Sequence, residues 1–427
     1  YSSSEQSQAN IVGFGANSLA LTGYQYQRDF DFESTTAQLF SDWTDTFSTE
    51  FKVSYRDYSA VRTPVDDRPA IGVRIGNAFL NLGTEENTHA NVLETETWNT
   101  YFVGNLFLDD HELKFGFDYE TNDFYNLFGR RTNGAYTFDS IANYRTGISS
   151  RYQLFAPVGG DLDNMAANWG LDNLGLFLQD TWSVNYNLTF TYGLRIDTPN
   201  VDQAPTFNEA ASTAFGFDNS TTIDGEELFQ PRFGFNYNFD TERATQTRGG
   251  FGLFQGASAT VWLSNPYSNN GLSYTDYFFS RGITRFDPDP ADQLGLFTPG
   301  AGATQSIDFI DPELAQPAVW KANLAFDHEL PWWGMVATAE VILTQAEEGI
   351  YYEQLNLGAP TAVGQDGRMI YWNANGRNPS RWNVLGASCL NETGVQPGST
   401  CTSGGATARS NRLSAYNDAI IAKSTSK

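Results

Sequence analysis

The clearest pattern in the sequence is a two-residue alternation of apolar and polar positions between residues 173 and 197. In the second half of this stretch the apolar positions are Leu188, Phe190, Tyr192, Leu194 and Ile196. In the first half they are Leu174, Leu176 and Leu178. A two-residue period is typical of a β-strand with one apolar and one polar face. Because the short polar segment 183–186 lies between the halves, the stretch predicts an antiparallel hairpin.

The same alternation recurs along the rest of the chain and predicts about twelve strands in all. Besides the hairpin, the predicted strands cover residues 19–28, 34–41, 47–58, 98–107, 113–120, 229–239, 248–255, 320–327, 337–343 and 416–421. Residues 1–10 are polar and predict a loop, and the acidic segment 29–33 predicts a reversal of the chain.

The connections between these strands alternate in length. Short polar connections are predicted at residues 42–46, 108–111, 183–186, 240–247 and 329–334, and long segments rich in Gly, Pro and Asn separate them. If the strands run up and down in sequence, the short turns meet at one end and the long loops at the other. Strands of about ten residues are long enough to cross a bilayer when tilted. The fold predicted is therefore all-β, a transmembrane antiparallel up-and-down β-barrel, since a soluble β-sandwich gives no reason for this alternation of loop lengths.

Aromatic residues stand at or beside the short turns. They are Trp182, Tyr186, Trp332 and Trp333. In a membrane barrel they would form the aromatic girdle at the interface between lipid and water. Ordinary aromatic residues flanking turns are the alternative interpretation.

Composition agrees with a strand-built membrane protein. Of the 427 residues, 15% are aromatic but only 40% are apolar, and no run approaches the about 18 consecutive apolar residues of a transmembrane helix. The formal net charge is −25 and there is no cluster of Lys and Arg, which argues against nucleic acid as a partner. Solvated acidic loops and an acidic lumen explain this charge more simply than a cationic ligand does.

Candidate ligand-binding and metal-binding residues lie in the long loops. Aromatic and amide side chains suited to a sugar or a peptide cluster there, at Trp262, Asn265, Tyr267, Asn269, Tyr371, Trp372 and Trp382, although loop aromatics that pack on one another are the competing interpretation. A weak calcium candidate consists of Asp287, Asp289 and Asp292, with Asp308 and Asp311 further on. This segment lacks the spacing of a defined calcium loop, so a solvated acidic loop is favoured and no cofactor is predicted. Enzymatic motifs are absent, and the three histidines are isolated.

The sequence contains two cysteines, Cys389 and Cys401, in one segment rich in Gly, Ser, Thr and Asn. A local disulfide in an oxidising compartment is the favoured interpretation, and two free thiols are the alternative. Metal binding is disfavoured because no histidine lies nearby.

The hairpin resembles a barrel hairpin of TonB-dependent outer-membrane receptors. That pattern is an aromatic-rich strand, Gln-Asp-x-Trp, a short turn and then Leu-Thr-x-x-x-Gly-x-Arg-Tyr/Ile-Asp. The matching residues are Gln179, Asp180, Trp182, Leu188, Thr189, Gly193, Arg195 and Asp197. Segments 261–271 and 317–330 further resemble the Oar-like branch of these receptors.

The resemblance implies a location in the outer membrane of a Gram-negative bacterium, in contact with its lipid. It also implies a barrel of about 22 strands filled by an N-terminal plug. Residues 1–427 are then expected to be part of such a barrel, without the plug and the C-terminal strands. The implied function is uptake of a small ligand, glycan or peptide bound by extracellular loops, energised by a TonB-type coupling protein that acts through the plug. The alternatives are a passive channel or a surface-structural barrel, with an enzyme as a distant third.

Overall fold

A computed structural model describes residues 1–279, 285–297, 300, 302–374, 390–391, 394–395 and 408–425. The strands, in chain order, are β1 Ser2–Asn10, β2 Ser18–Ala20, β3 Tyr26–Thr44, β4 Phe47–Pro64, β5 Ala70–Ile75, β6 Ala78–Leu82, β7 Ala90–Leu108, β8 His111–Gly129, β9 Ala135–Phe138, β10 Arg151–Pro157, β11 Ala167–Ser183, β12 Leu188–Val201, β13 Leu228–Asn238, β14 Thr245–Gln255, β15 Tyr274–Phe279, β16 Ala303–Ile310, β17 Ala318–Glu329, β18 Val336–Glu348, β19 Ile350–Gln354, β20 Ala362–Val363, β21 Met369–Ile370, β22 Leu390–Asn391, β23 Gly394–Val395 and β24 Tyr416–Ser424. The α-helices are α1 Ile141–Thr146, α2 Glu209–Phe215 and α3 Thr260–Ser268, and 3₁₀ turns cover Thr22–Tyr24, Val158–Gly160, Leu162–Met165 and Pro290–Leu296.

The larger sheet, here called the wall, has eleven strands in the order β1-β3-β4-β7-β8-β11-β12-β13-β14-β17-β18. Every neighbouring pair is antiparallel. The short connections 45–46, 109–110, 184–187, 239–244 and 330–335 all lie at one end, and the long loops lie at the other. The predicted up-and-down order and the alternation of loop lengths are therefore confirmed. The edge strands β1 and β18 are not paired with each other in the described chain, so the wall is open there.

The two faces of the wall differ as the alternation predicts. In the central hairpin Leu178 pairs with Leu194 and Leu176 with Ile196, so the apolar positions of both strands share one face. Leu176 is 51% exposed and Leu194 is 43% exposed. These side chains are therefore not buried between two stacked sheets, which contradicts the sandwich alternative. We call this apolar side of the wall the outer face and the opposite, mostly polar side the inner face.

The N-terminal part of the chain differs from the sequence prediction. Residues 1–10 were expected to be a loop, but nine of them form β1, which pairs along β3 from Ser2↔Ser34 to Asn10↔Tyr26. The reversal expected at residues 29–33 is absent, because β3 runs from Tyr26 to Thr44. The acidic residues of that segment alternate with Phe30 and Phe32, which is itself a strand period, and pairing on both sides outweighs their low strand propensity. The strand expected at 19–28 is likewise interrupted by the 3₁₀ turn Thr22–Tyr24.

The long loops contain a second sheet that the sequence prediction missed. Its nine strands are ordered β19-β24-β16-β15-β10-β9-β5-β6-β2, and three of its pairs are parallel. Its core includes Tyr136, Phe138 and Tyr152, each at most 2% exposed. Strand β24, expected to continue the barrel, joins this sheet instead. Its apolar run is buried within that sheet rather than facing outward on the wall.

Helix α3 connects the second sheet to the inner face of the wall. On this helix, the ring of Tyr267 stacks on Trp169 of β11 at 5.2 Å between centroids, and Ser264 Oγ accepts a 3.0 Å hydrogen bond from the indole Nε1 of Trp169. Leu263 and Leu314 belong to the same buried cluster. The long loops therefore fold back against the inner face of the wall. None of the helices in the described ranges is long and apolar enough to cross a membrane.

Candidate functional site

A cavity of about 640 Å³ lies at the long-loop end, between the inner face of the wall and the folded-back loops. We call it the upper chamber. Its wall side is formed by β3, β4, β7 and β8, and its loop side by α3, β16 and β24. The residues that carry charge or amide groups into its lining are Arg28, Arg62, Asn91, Asn126, Arg130, Asn265, Asn269, Asp308, Gln354 and Asp418.

The wall side of the upper chamber is basic. Arg28 on β3 and Arg62 on β4 are direct cross-strand partners, and Arg130 follows the end of β8. The guanidinium of Arg28 lies 4.5 Å from the ring centroid of Phe30, and that of Arg130 lies 4.7 Å from Phe155. Such rings support a cation without neutralising it. Within the described ranges none of the three arginines forms an ion pair, and Arg28 Nε is buried without a hydrogen-bond partner.

The loop side of the upper chamber is acidic. Asp308 on β16 is 6% exposed, and one of its oxygens accepts a 2.8 Å hydrogen bond from Asn269 Nδ2. Asp418 on β24 accepts a 3.0 Å bond from Gln354 Nε2 and lies 3.8 Å from Arg409 Nη1. Burial raises the pKa of Asp308 to about 6, although its bond from Asn269 opposes the shift.

Asp276 of β15 lies behind this acidic side and is 1% exposed. Its Oδ2 accepts a 3.2 Å bond from Asn417 Nδ2, whereas its Oδ1 is buried without a partner. Burial raises the pKa of Asp276 to about 6, against the opposing charges of Arg130 and Arg131. The folded protein therefore holds a proton here more tightly than the unfolded chain does.

Below the upper chamber, towards the short turns, the inner face carries a buried polar network. Asp197 is 2% exposed, and its carboxylate accepts 2.7 Å bonds from Arg195 Nε and Nη2 and a 3.1 Å bond from Asn173 Nδ2. Gln230 Nε2 donates to the same carboxylate. Asp118 lies 3.6 Å from Arg195 Nη2 and adds a second anion. This network, here called the Arg195–Asp197 network, joins four strands of the wall, β8, β11, β12 and β13.

The sequence over residues 9–418 matches the family model described as outer membrane beta-barrel domain. The chain belongs to this family. The protein is accordingly an outer-membrane β-barrel, located in the bacterial outer membrane. A comparison with curated proteins found no match.

Three solved structures are similar to this outer-membrane β-barrel. The outer membrane transporter YddB from Escherichia coli is 11% identical with a TM-score of 0.49, covering 78% of this chain and 36% of its own. The copper transporter OprC is 13% identical with a TM-score of 0.41, covering 81% and 42%. The siderophore receptor PirA from Pseudomonas aeruginosa is 11% identical with a TM-score of 0.32, covering 81% and 52%. The chain thus spans between about a third and half of the length of these structures.

The hairpin residues that resemble TonB-dependent receptors lie on β11 and β12 of the barrel wall, on both faces. Asp180 points outward near the short turns, where its Oδ2 accepts a 2.6 Å bond from Tyr192 Oη and lies 2.7 Å from His111 Nδ1. Trp182 stacks on the same imidazole at 5.5 Å between centroids. Gly193 is required by close packing, because a Cβ there would lie 2.6 Å from the carbonyl oxygen of Leu178. Gln179 lies on the inner face, as do Arg195 and Asp197.

The ligand-binding residues expected from the sequence are divided among several places. Asn265 and Asn269 line the upper chamber. Tyr267, between them on α3, is only 8% exposed and donates a 2.6 Å bond to the carbonyl of Gln203, so its described contacts are those of a core residue. Trp262 lies outside the chamber lining, with its ring 5.5 Å from that of Tyr352.

Two further predicted residues, Tyr371 and Trp372, lie away from the upper chamber. Tyr371 and Trp372 border a separate groove with Asp366 and Arg368. Three predicted residues, Trp382, Cys389 and Cys401, lie outside the described residues. The ligand assignment and the disulfide therefore stay predictions.

Two carboxylates of the calcium candidate, those of Asp287 and Asp289, accept hydrogen bonds within their own loop. Asp287 Oδ1 accepts a 3.1 Å bond from the backbone N–H of Asp289, and its Oδ2 accepts a 2.8 Å bond from Arg285. Asp289 caps a 3₁₀ turn through the N–H of Ala291 at 2.9 Å. In the described part of the chain no group of three or more His, Cys, Asp and Glu side chains is arranged to hold a metal ion.

We expect Asp276→Asn to change how stability depends on pH. Because the pKa of Asp276 in the folded protein, about 6, lies above the ordinary 3.8, its favourable contribution is present below about pH 4 and is lost as the pH rises through about 6. The variant should match the parent near pH 4 and exceed it above about pH 7, by on the order of 2–3 kcal/mol. Urea unfolding across this pH range measures the difference, and parallel stability curves for the two proteins would contradict the expectation.

Proposed function

We propose that this outer-membrane β-barrel is a receptor that takes up a small ligand with energy supplied by a TonB-type coupling protein of the inner membrane. The observation that carries the proposal is the upper chamber. It lies on the inner face at the long-loop end, and it presents charged and amide groups towards a ligand-sized space of about 640 Å³. Small-molecule sites typically enclose about 300–1,000 Å³ and contain a few convergent polar groups.

The folded-back loops support an energised mechanism rather than free diffusion. Helix α3 is fixed to the wall through Trp169, and β16 and β24 close the loop side of the upper chamber. A ligand in the upper chamber is enclosed by packed parts of the protein. Its onward passage therefore requires α3, β16, β24 or neighbouring segments to move. The proposal includes a plug outside residues 1–427 that transmits this work, and it treats the chain as part of a barrel of about 22 strands. Membership of the Oar-like branch stays a prediction.

Uptake by whole cells tests the proposal. Cells that carry the complete gene are incubated with yeast extract, with and without a functional coupling protein, and the compounds that accumulate are identified by mass spectrometry. Energised uptake predicts at least one compound whose accumulation requires both the barrel and the coupling protein. Accumulation that depends on the barrel alone would instead support the passive channel. If the presence of the barrel changes the accumulation of no compound, both energised uptake and the passive channel are refuted in favour of a structural barrel.

A further inference from the structure

Two arginines of the upper chamber, Arg28 and Arg62, form no ion pair within the described chain, whereas the charge of Arg130 acts on Asp276 and Asp308. Arg28 and Arg62 are adjacent across β3 and β4, and two cations so placed repel each other. The ring of Phe30 lies against Arg28 and that of Tyr26 against Arg62, but neither ring carries a charge. Arg28 Nε is buried away from water and donates no hydrogen bond to the described part of the chain. A buried donor without an acceptor is destabilising, and more so when it is charged. A carboxylate or a phosphate would satisfy both guanidinium groups.

The acidic loop side makes a simple anion a poor fit. Asp308 and Asp418 line the same cavity as the arginines, and a ligand of uniform negative charge would meet repulsion there. The two carboxylates take hydrogen bonds from Asn269 and Gln354, which are neutral amides. Arg409 approaches Asp418 only at 3.8 Å. One cavity therefore contains cationic groups on its wall side, Arg28 and Arg62, and anionic groups on its loop side, Asp308 and Asp418, which matches a ligand that carries both charges.

Amide groups on both sides of the upper chamber suit a peptide backbone. Asn91, Asn126 and Asn265 are amides that both donate and accept hydrogen bonds, as the peptide groups of a ligand require. The lining also includes apolar side chains of Leu93, Met165, Val261 and Ile420, which provide room for an apolar side chain of the ligand.

We propose that the upper chamber binds the zwitterionic form of a short peptide, with the carboxylate against Arg28 and Arg62 and the ammonium group against Asp308 and Asp418. This inference rests on the proposed uptake function and names its substrate class. The volume of about 640 Å³ accommodates a few residues rather than a folded domain.

Calorimetric titration of the complete purified protein with Ala-Leu-Ala tests the inference. The free tripeptide is expected to bind, and either N-acetylation or C-amidation should weaken binding about tenfold or more, since each removes one charged contact. Inorganic phosphate, which carries only negative charge, should bind more weakly than the tripeptide. Binding of the doubly capped tripeptide as tight as that of the free one would overturn the proposal. So would binding of phosphate without binding of the tripeptide, or no heat from either.

Single-residue variants test which side chains contact the carboxylate and the ammonium group of the peptide. Arg62→Gln should weaken binding of the free tripeptide and reduce the penalty of C-amidation, because Arg28 remains, whereas Asp418→Asn should reduce the penalty of N-acetylation, because Asp308 remains. The matched control is Arg74→Gln, because Arg74 lies over Phe79 at 4.6 Å in a similar cation–π contact but is outside the chamber lining. Near-ultraviolet circular dichroism checks that each variant is folded. Equal losses in Arg62→Gln and Arg74→Gln would contradict the assignment.

The inference and the uptake proposal fail separately. Energy-dependent uptake of some compound without tripeptide binding would refute the peptide class and leave the transport function standing. Tripeptide binding together with accumulation that needs no coupling protein would keep the peptide site and refute energised transport.

Discussion

Replacing Leu176 by arginine is expected to destabilise the protein in lipid vesicles by about 2–4 kcal/mol. Leu176 lies on the outer face of β11, six residues before Trp182, and is 51% exposed on the side that we assign to lipid. This position places it near the middle of an apolar band about 25 Å tall, where a guanidinium group cannot reach water without distorting the bilayer. Urea unfolding in vesicles, followed by tryptophan fluorescence, measures the change in free energy.

The control for Leu176→Arg is Gln179→Arg on the same strand. Gln179 belongs to the inner face, so an arginine there points away from lipid, and its effect is expected to stay below about 1 kcal/mol. Similar losses in the two variants would show that the outer face does not contact lipid.

Replacing Asp197 by alanine is expected to destabilise the protein by about 3–5 kcal/mol. The carboxylate is 2% exposed and neutralises Arg195 while accepting bonds from Asn173 and Gln230. Its removal leaves a partly buried guanidinium without its nearest counter-ion and two amide donors without an acceptor. The free energy of unfolding in vesicles again provides the measurement.

The ion pair between Arg248 and Asp327 provides the matched control for Asp197→Ala. The Arg248 side chain is 42% exposed, and its Nε lies 3.2 Å from Asp327 Oδ2, within the same wall. Solvent screens such a pair, so Asp327→Ala should cost much less stability than Asp197→Ala. If the two alanine variants lose the same stability, the Arg195–Asp197 network does not stabilise the wall as described.

The wall was largely predictable because its signal is local. The alternation from Leu188 to Ile196 sets one strand, and the short turn after Ser183 sets its partner, with no knowledge of the rest of the chain. The loop-length rule then orders the strands. The predicted turn at residues 29–33 is wrong. Its acidic residues favour a turn, but Phe30 and Phe32 between them continue the two-residue period of β3.

The second sheet was not predictable in the same way. Its strands are short, and several pair with segments far away in sequence, as β16 does with β24 from Gln305↔Tyr416 to Ile310↔Ala422. Their burial depends on neighbours that no local pattern reveals. Loop composition rich in Gly and Pro was therefore interpreted as irregular structure.

The upper chamber was predicted only in part. Asn265 and Asn269 were identified because amides and aromatics cluster in one segment, but their neighbour Tyr267 faces the core. The arginines were missed because they stand on separate strands and converge only through the register that pairs Arg28 with Arg62. A usable signal existed in the sequence, namely basic residues on the inner face of strands next to a long loop.

Alternate residues of the wall are expected to contact lipid. A nitroxide label placed at each position from 188 to 196, with Cys389 and Cys401 replaced by serine, reports collisions with oxygen in lipid and with a nickel chelate in water. Oxygen accessibility should peak at Leu188, Phe190, Tyr192, Leu194 and Ile196, with the chelate favouring the positions between them. Accessibility without a two-residue period, or higher chelate accessibility at Leu194 than at Arg195, would contradict the membrane-spanning wall.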